Sequence, residues 1–400
     1  MVRLIKELEP VKVYVILPTN EVGGHEHMLL EWLTRARNCG LSATIFCRGG
    51  WSLSTLASDR GFECVETCYR DRGSKFSRVI RWANFLETYR TVRRLPSDIP
   101  VLLAPGSMHA SILHLFACVL AKRSIVCYVP TAHSASKEEM KLASLRDGIS
   151  RLLASRVSIW VTIGSSQKAE LIERWRIARP VITIPNRISA MGGTRPAGAK
   201  RINNLNRLNV AFVGRFEPKA KGLDWLVGVL QKEARWRGRF RFVFQGRGAY
   251  VGALHQLVHA VGSEHVEIVG WGSPKAVLED TDVLILTSRF EGFPLVAVEA
   301  LMAAVPVVAS CESGLADVLL DACQFSFGDE SGMWAALDRM RVAERRDEAI
   351  IHATERLGRI LSEDRYLDGI GQLVSELTQI DRERVIARSD SELRGRDVRQ

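Results

Sequence analysis

Metal-ligand spacing is missing from this sequence of 400 residues. Its eight cysteines are scattered, and although Cys64 and Cys68 lie near each other, no C-x-x-C pair occurs. Zinc sites and disulfide frameworks rely on paired spacings, so the cysteines read as reduced thiols. His25-Glu26-His27 looks metal-like but lacks the H-E-x-x-H spacing that sets two imidazoles on one helix face, and no metal site is expected. Long apolar runs are missing too. The longest, 112–121, contains His114 and stops at Lys122-Arg123, whereas a helix crossing a bilayer needs about 20 residues. The opening MVRLIKELEP has no apolar stretch and no small-residue cleavage site, so no signal peptide is expected. No internal repeat is visible beyond an α/β rhythm.

Acidic residues are scarce in one half only. Residues 1–190 carry 27 Lys and Arg against 16 Asp and Glu, and the remainder carries 28 against 29, so the first half holds the whole net charge of +10. A basic half joined to a neutral half points to one domain meeting an anionic surface, with lipid, nucleic acid and phosphorylated substrate all open at this level.

What is present is a regular alternation of apolar strands with helical segments. Strands are predicted at 12–18, 42–47, 101–105, 124–130, 158–164 and 180–185, then at 209–215, 241–246, 265–270, 282–288 and 305–310. Runs this apolar, without in–out alternation and separated by helix-length segments, are parallel strands covered on both faces. Both halves therefore read as doubly wound α/β domains. The aperiodic stretch ISAMGGTRPAGAKRINNLNRLN marks the boundary. The expected division is a first domain at 1–188, a linker at 189–208, a second domain at 209–380 whose final helix could pack back on the first, and a charged, frayed tail at 381–400.

SRFEGFPLVAVEAL (288–301) connects a buried strand to a helix. Such crossings, at the carboxyl ends of strands, are where open α/β sheets bind ligands. Pro294 suits the first helical position, and the N–H groups of Leu295 and Val296 can hold a phosphate or sugar oxygen. Glu299, a turn into the helix, can accept hydrogen bonds from a diol, and Glu291 can do the same for sugar hydroxyls. An acidic first turn favoured by the helix dipole is the plainer alternative for these glutamates. Asp280-Thr281-Asp282 spells a D-x-D, but at the start of its strand, away from the ligand end, and is read as chance.

Taken together, EGFPLVAVE, VGRFEPKAKGLDWL, LPTNEVGGHEHMLLEWL, VTIGSSQKAELI…VITIPNRI and PVVAS resemble, in order, the motifs of retaining glycosyltransferases of the GT-B fold, most similar to family 4. The resemblance runs over about residues 12–320. It implies two Rossmann-like parallel-sheet domains facing across a cleft, and transfer of a hexose from a nucleotide-sugar without a metal or other cofactor. Arg215 and Lys221, with Gly214 and Gly222 beside them, would neutralise the leaving diphosphate. Glu291 would hold the donor sugar, Glu299 the ribose, and Gly292, Phe293 and Pro294 the turn between them. Gly23-Gly24 would form a flexible loop, and His133 would sit beside the transferred sugar. Three departures stand out: Ala304 and Ser313 occupy positions where the family often has glycine, and Arg215 and Lys221 are one residue further apart than the commonest spacing. Ala304 is expected to need only a negative φ.

The resemblance assigns the acceptor to the first domain, whose charge is densest in KFSRVIRWANFLETYRTVRRL (75–95). Phe76, Val79, Ile80, Ala83 and Leu86 follow helical spacing, with Lys75, Arg78, Arg81, Arg90, Arg93 and Arg94 around them. This is either a core-facing helix with a solvated basic face or a docking element for an anionic membrane carrying a lipid-linked acceptor. No recognition motif for nucleic acid accompanies the charge. The expectation is a cytoplasmic enzyme peripheral on the inner membrane face. It would add sugar to a lipid-linked or growing glycan in surface polysaccharide synthesis. A nucleotide-sugar epimerase or hydrolase and a silent nucleotide-sugar scaffold are the rivals.

Overall fold

The computed structural model describes residues 10–18, 24–48, 52–69, 77–110, 112–187 and 207–397, with the side chains of 77–80 and 384–397 outside that description. Two compact units result, one formed by Met1–Arg187 with Glu363–Gln400 and the other by Ile188–Ser362.

The first unit is built on a seven-stranded parallel sheet. Its strands are β1 (Val11–Ile16), β2 (Leu41–Arg48), β3 (Glu63–Thr67), β4 (Val101–Leu103), β5 (Ile125–Tyr128), β6 (Ile159–Thr162) and β7 (Val181–Thr183), in the order β3-β2-β1-β4-β5-β6-β7. The helices between them are α1 (Gly24–Arg37), α2 (Ser52–Asp59), α3 (Ser77–Arg94), α4 (Ile112–Leu120), α5 (Ala143–Ala154) and α6 (Ser165–Ala169). β4, β5 and β6 are buried along their whole length, as strands covered on both faces must be.

The second unit repeats the plan. β8 (Leu208–Arg215), β9 (Phe240–Arg247), β10 (Val266–Val269), β11 (Val283–Leu286), β12 (Val307–Ser310) and β13 (Gln324–Phe325) run β10-β9-β8-β11-β12-β13, all parallel. Its helices are α7 (Leu223–Lys232), α8 (Val251–Val261), α9 (Pro274–Glu279), α10 (Leu295–Met302), α11 (Glu330–Arg339) and α12 (Ala343–Ile360). α12 shows why such segments are helical and lie flat on a core. Ala349, Ala353 and Leu357, one per turn, are buried while the charged residues between them face out. In both sheets the order reverses direction beside the first strand, between β1 and β4 and between β8 and β11. At such a switch point the two crossovers leave on opposite faces and open a crevice.

Two strands escape sequence reading. β3 is ECVET, mostly exposed at a sheet edge, and β13 is only two residues long. Short or charged edges blunt unwanted pairing and so lack the apolar run that marks central strands. Residues 363–380 cluster with the first unit, where α13 (Glu363–Asp397) packs on α1, β1 and β7, and helix continues to Asp397 through the segment read as a frayed tail. Of the linker 189–208, only Arg207 and Leu208 are described, and Leu208 opens β8.

α3 turns a different face inward from the expected one. Asn84, Phe85, Thr88 and Val92 are buried, whereas Leu86 is exposed. The inward face is partly polar. Thr88 Oγ1 donates to the Asn84 carbonyl (2.9 Å) and lies 2.8 Å from His114 Nδ1 and 3.0 Å from the Tyr69 hydroxyl.

Candidate functional site

β8 ends at Gly214-Arg215, and the chain then loops to Gly222 before α7 begins. Gly222 has φ +63°, and a Cβ there would stand 1.9 Å from the Thr287 carbonyl oxygen at the end of β11. Only a residue without a side chain lets these two strand-end loops touch. Thr287 Oγ1 closes the contact from the other side by donating to the Lys221 carbonyl (2.9 Å). Arg289 braces it further. Its guanidinium forms a fork with Asp224 (2.7 and 3.0 Å), donates to the carbonyls of Pro218 (3.2 Å) and Lys219 (2.8 Å), and lies over the Phe327 ring.

These supports set Lys221 against Glu291. The Lys221 ammonium pairs with Glu291 Oε1, and Ser288 Oγ donates to Oε2 (2.8 Å), so both carboxylate oxygens are held. The pair is only 17–18% exposed. From the other flank, Glu291 N–H donates to the Glu312 carbonyl (3.2 Å) after β12. Gly314, at φ +79°, lies so close to Gly292 that a Cβ would meet the Gly292 carbonyl oxygen at 2.3 Å. Three strand ends thus converge on one lysine–glutamate pair at the second unit's switch point.

α10 follows at once. Pro294 is its cap (φ −75°, ψ 113°) rather than its first helical residue, because Leu295 already takes that place; no side chain caps the helix. The Ala297 N–H turns back to the Pro294 carbonyl (3.1 Å), which leaves Leu295 and Val296 as the donors at the open end. Phe293 is half-buried beside them. Glu299 lies in the second turn, and burial pushes its carboxyl above the ordinary value. Its carboxylate has no protein partner among the described residues. Arg215 is unlike Lys221: it is 60% exposed and ion-paired with Glu217 (3.0 Å).

Ala304 corrects an expectation. It has φ +53°, in the left-handed region, with its N–H on the Leu301 carbonyl (3.0 Å) and the Val305 N–H on the Ala300 carbonyl (2.8 Å). That double turn closes α10, and an alanine there bears the strain a glycine would not. The D-x-D read as chance bonds to Asn209. Asp282 Oδ2 accepts from the Asn209 N–H (2.8 Å), and the Asp280 carbonyl accepts from Asn209 Nδ2 (2.9 Å), at the amino ends of β8 and β11.

In the first unit His133 is buried on the loop after β5. That loop is held along its length. The Ala132 N–H donates to Gln167 Oε1 (2.7 Å), Trp175 Nε1 donates to the Ala132 carbonyl (2.6 Å), and His109 Nε2 donates to the His133 carbonyl (3.1 Å). Asp147 of α5 accepts from the Ala135 N–H (2.7 Å) and Ser136 Oγ (2.9 Å). His109 and Asp147 were not singled out from sequence, since nothing local distinguishes a histidine after β4 from any loop residue. Gly24 opens α1 instead of lying in a loop. His25 stacks on Tyr128 at 4.9 Å and donates to the Ala104 carbonyl (3.4 Å). Gly23 and Lys75 lie outside the described residues, as does the Arg78 side chain. Arg81, Arg90, Arg93 and Arg94 are exposed on α3, with Arg93 over the Tyr89 ring.

Residues 207–354 match the family described as glycosyl transferases group 1. A Klebsiella pneumoniae protein described as an uncharacterized 41.2 kDa protein in the cps region is 26% identical over 52% of this chain, and the match spans 58% of that protein. Among solved structures, the Thermosynechococcus elongatus sucrose-phosphate synthase covers 92% of this chain and 99% of its own, with a TM-score of 0.72 at 16% identity. Anabaena HepE in complex with UDP-glucose covers 95% and 99%, with a TM-score of 0.60 at 17% identity. At such identities the likeness carries the fold alone: the chain has the GT-B architecture of two parallel-sheet α/β domains, and its second domain matches glycosyl transferases group 1.

Proposed function

We propose that this protein is a retaining, metal-independent hexosyltransferase that uses a nucleotide-sugar to extend a lipid-linked or growing glycan in surface polysaccharide synthesis. The observation that carries the reading is the Lys221–Glu291 pair held at the switch point of the second sheet, on the loop that leads into α10 and its Glu299, whose carboxylate has no partner among the described residues. Breaking a glycosyl–diphosphate bond requires negative charge to be stabilised on the leaving group while the sugar is held in place. Lys221, Arg215 and the open amides of α10 can supply that charge stabilisation without a metal. Glu291 can hold sugar hydroxyls and Glu299 a ribose diol. On the acceptor side, His133 is assigned to the sugar being transferred. The cps-region relative and the UDP-glucose complex of HepE support the pathway and the donor class.

A thermal-shift screen of UDP-, GDP- and ADP-sugars tests this, because a ligand that binds the folded state raises its apparent stability. One family of donors should stabilise the chain and be consumed with an acceptor in excess EDTA. Donor turnover without acceptor favours the epimerase or hydrolase, and tight binding without turnover favours the scaffold. Activity lost to EDTA and restored by Mg²⁺ or Mn²⁺ ends the metal-free mechanism.

The exposed arginines of α3 support reversible docking on an anionic membrane at about 1 kcal/mol for each charge near the surface. Replacing Arg78, Arg81, Arg90 and Arg93 by Gln should abolish sedimentation with anionic vesicles and leave donor binding intact. Unchanged sedimentation refutes docking by this helix.

A further inference from the structure

Four successive carbonyls in the loop before α7 turn toward one strand-end segment, residues 287–289. Arg289 Nη1 donates to the carbonyls of Pro218 (3.2 Å) and Lys219 (2.8 Å). The Arg289 N–H donates to the Ala220 carbonyl (3.0 Å), and Thr287 Oγ1 donates to that of Lys221 (2.9 Å). Backbone groups outside regular structure are satisfied by protein or by water. Here protein donors take the whole run, so the path of 218–221 is set by 287–289. Lys221 ends the run, and its ammonium meets Glu291, two residues beyond Arg289.

Arg289 has the chemistry of a third cation for a diphosphate, but its donors are engaged elsewhere. Nη1 carries two hydrogens and already serves three acceptors, the two carbonyls and Asp224 Oδ1 (2.7 Å). Nη2 donates to Asp224 Oδ2 (3.0 Å), so a carboxylate occupies the fork that would grip a phosphate. The Phe327 ring lies 4.4 Å from the guanidinium carbon. Arg289 is 22% exposed, against 60% for Arg215. Asp224 is fixed in turn, because Oδ1 also accepts the Trp225 N–H (2.8 Å) at the start of α7.

We infer that Arg289 is a positioning residue, held by Asp224, that sets Lys221 against Glu291 and offers none of its own charge to the donor. Its guanidinium is neutralised where it stands, and Lys221 is left as the cation that faces the leaving diphosphate. Only a planar fork can reach two carbonyls and both oxygens of one carboxylate, so lysine is no substitute at this position. The effect on rate rests on the transferase reading; the placing of Lys221 does not.

Two measurements on the full chain test this. The first needs no donor. Competitive labelling with acetic anhydride, read by mass spectrometry, compares Lys221 with Lys232, which is 67% exposed on α7. Lys221 should label slowly in the wild type and approach Lys232 in Arg289→Met. Asp224→Asn, which keeps the arginine and its carbonyl bonds and so guards against a misfolded first variant, should move the ratio the same way by less. The second measurement is kinetic. With the nucleotide-sugar that the wild type turns over, Arg289→Met should lose about 10²-fold in kcat at little change in donor KM, the cost of misplacing a reacting group by about 1 Å. On a Lys221→Ala background it should cost nothing further, because the lysine it places is gone. An unchanged labelling ratio in both variants overturns the inference. So does the full kcat loss repeated on the Lys221→Ala background, since Arg289 would then act by itself. A lower donor KM in Asp224→Asn, or wild-type rate in Arg289→Lys, also overturns it, because the charge of residue 289 would then serve the phosphate directly. A wild type that turns over no nucleotide-sugar sinks the transferase reading alone, and the labelling still decides the placing of Lys221.

Discussion

The two domains share a strand order but not a way of handling charge and apolar surface. At the ligand end of the second sheet, Lys221 and Glu291 neutralise each other, and Arg289 is enclosed by Asp224, two carbonyls and a phenyl ring. On the helical face of the first, arginines stand in solvent beside exposed leucines. The difference teaches where rigidity is concentrated. Charge-stabilising groups must be set in advance, because reorganising them during reaction would cost the stabilisation they provide.

The sharpest attack on the comparison is Gly222→Ala. If close backbone contact sets the donor site, a methyl group 1.9 Å from the Thr287 oxygen, in a left-handed backbone, should cost roughly 3–5 kcal/mol of stability. Denaturant unfolding with an unchanged midpoint would mean that the two loops are not held together. Lys221→Ala should fold but lose about 10²–10³ in kcat, about 2.7–4 kcal/mol, with Arg215→Ala of the same order. Rates within a few-fold of wild type in both would remove the cations from the mechanism.

Glu299→Ala sharpens the contrast between binding and chemistry. A ribose contact is the same in ground and transition states, so the variant should mainly weaken the bare nucleoside diphosphate, by about 1.5–3 kcal/mol. Calorimetry giving wild-type affinity would end the ribose assignment. Ala304→Gly should be a gain. Relief of left-handed strain, partly offset by the freer unfolded chain, leaves about 0.5–1 kcal/mol, seen as a small rise in melting temperature of the second domain.

A pH dependence tests the first domain. The Glu138 carboxyl is raised from 4.5 to about 7, so the folded state holds its proton more tightly than the unfolded chain does. The resulting stability is fully present below pH 4.5 and is lost as pH rises through 7. Glu138→Gln should remove that slope between the two values, and an identical pH–stability curve would show that the group is solvated.

The sequence alone determined the two α/β domains and the strand ends that matter. Central parallel strands are apolar on both faces, and glycine, lysine and glutamate at their carboxyl ends are local signals. It could not reveal β3 or β13, whose edge positions remove the apolar run. Nor could it reveal the bracing of Arg289 by Asp224 or the placing of His109 against the His133 loop, because those partners are 65 and 24 residues apart. Ala304 was misjudged because a positive φ belongs to the way α10 ends and not to the residue. α5 shows the limit most plainly. Leu142 at its cap and Leu145, Ile149 and Leu152 within it stand exposed at 3-4-3 spacing. That spacing is the same whether a helix faces a core or solvent. Helical periodicity fixes which side chains share a face, and only the packing of the neighbouring helices decides where that face points.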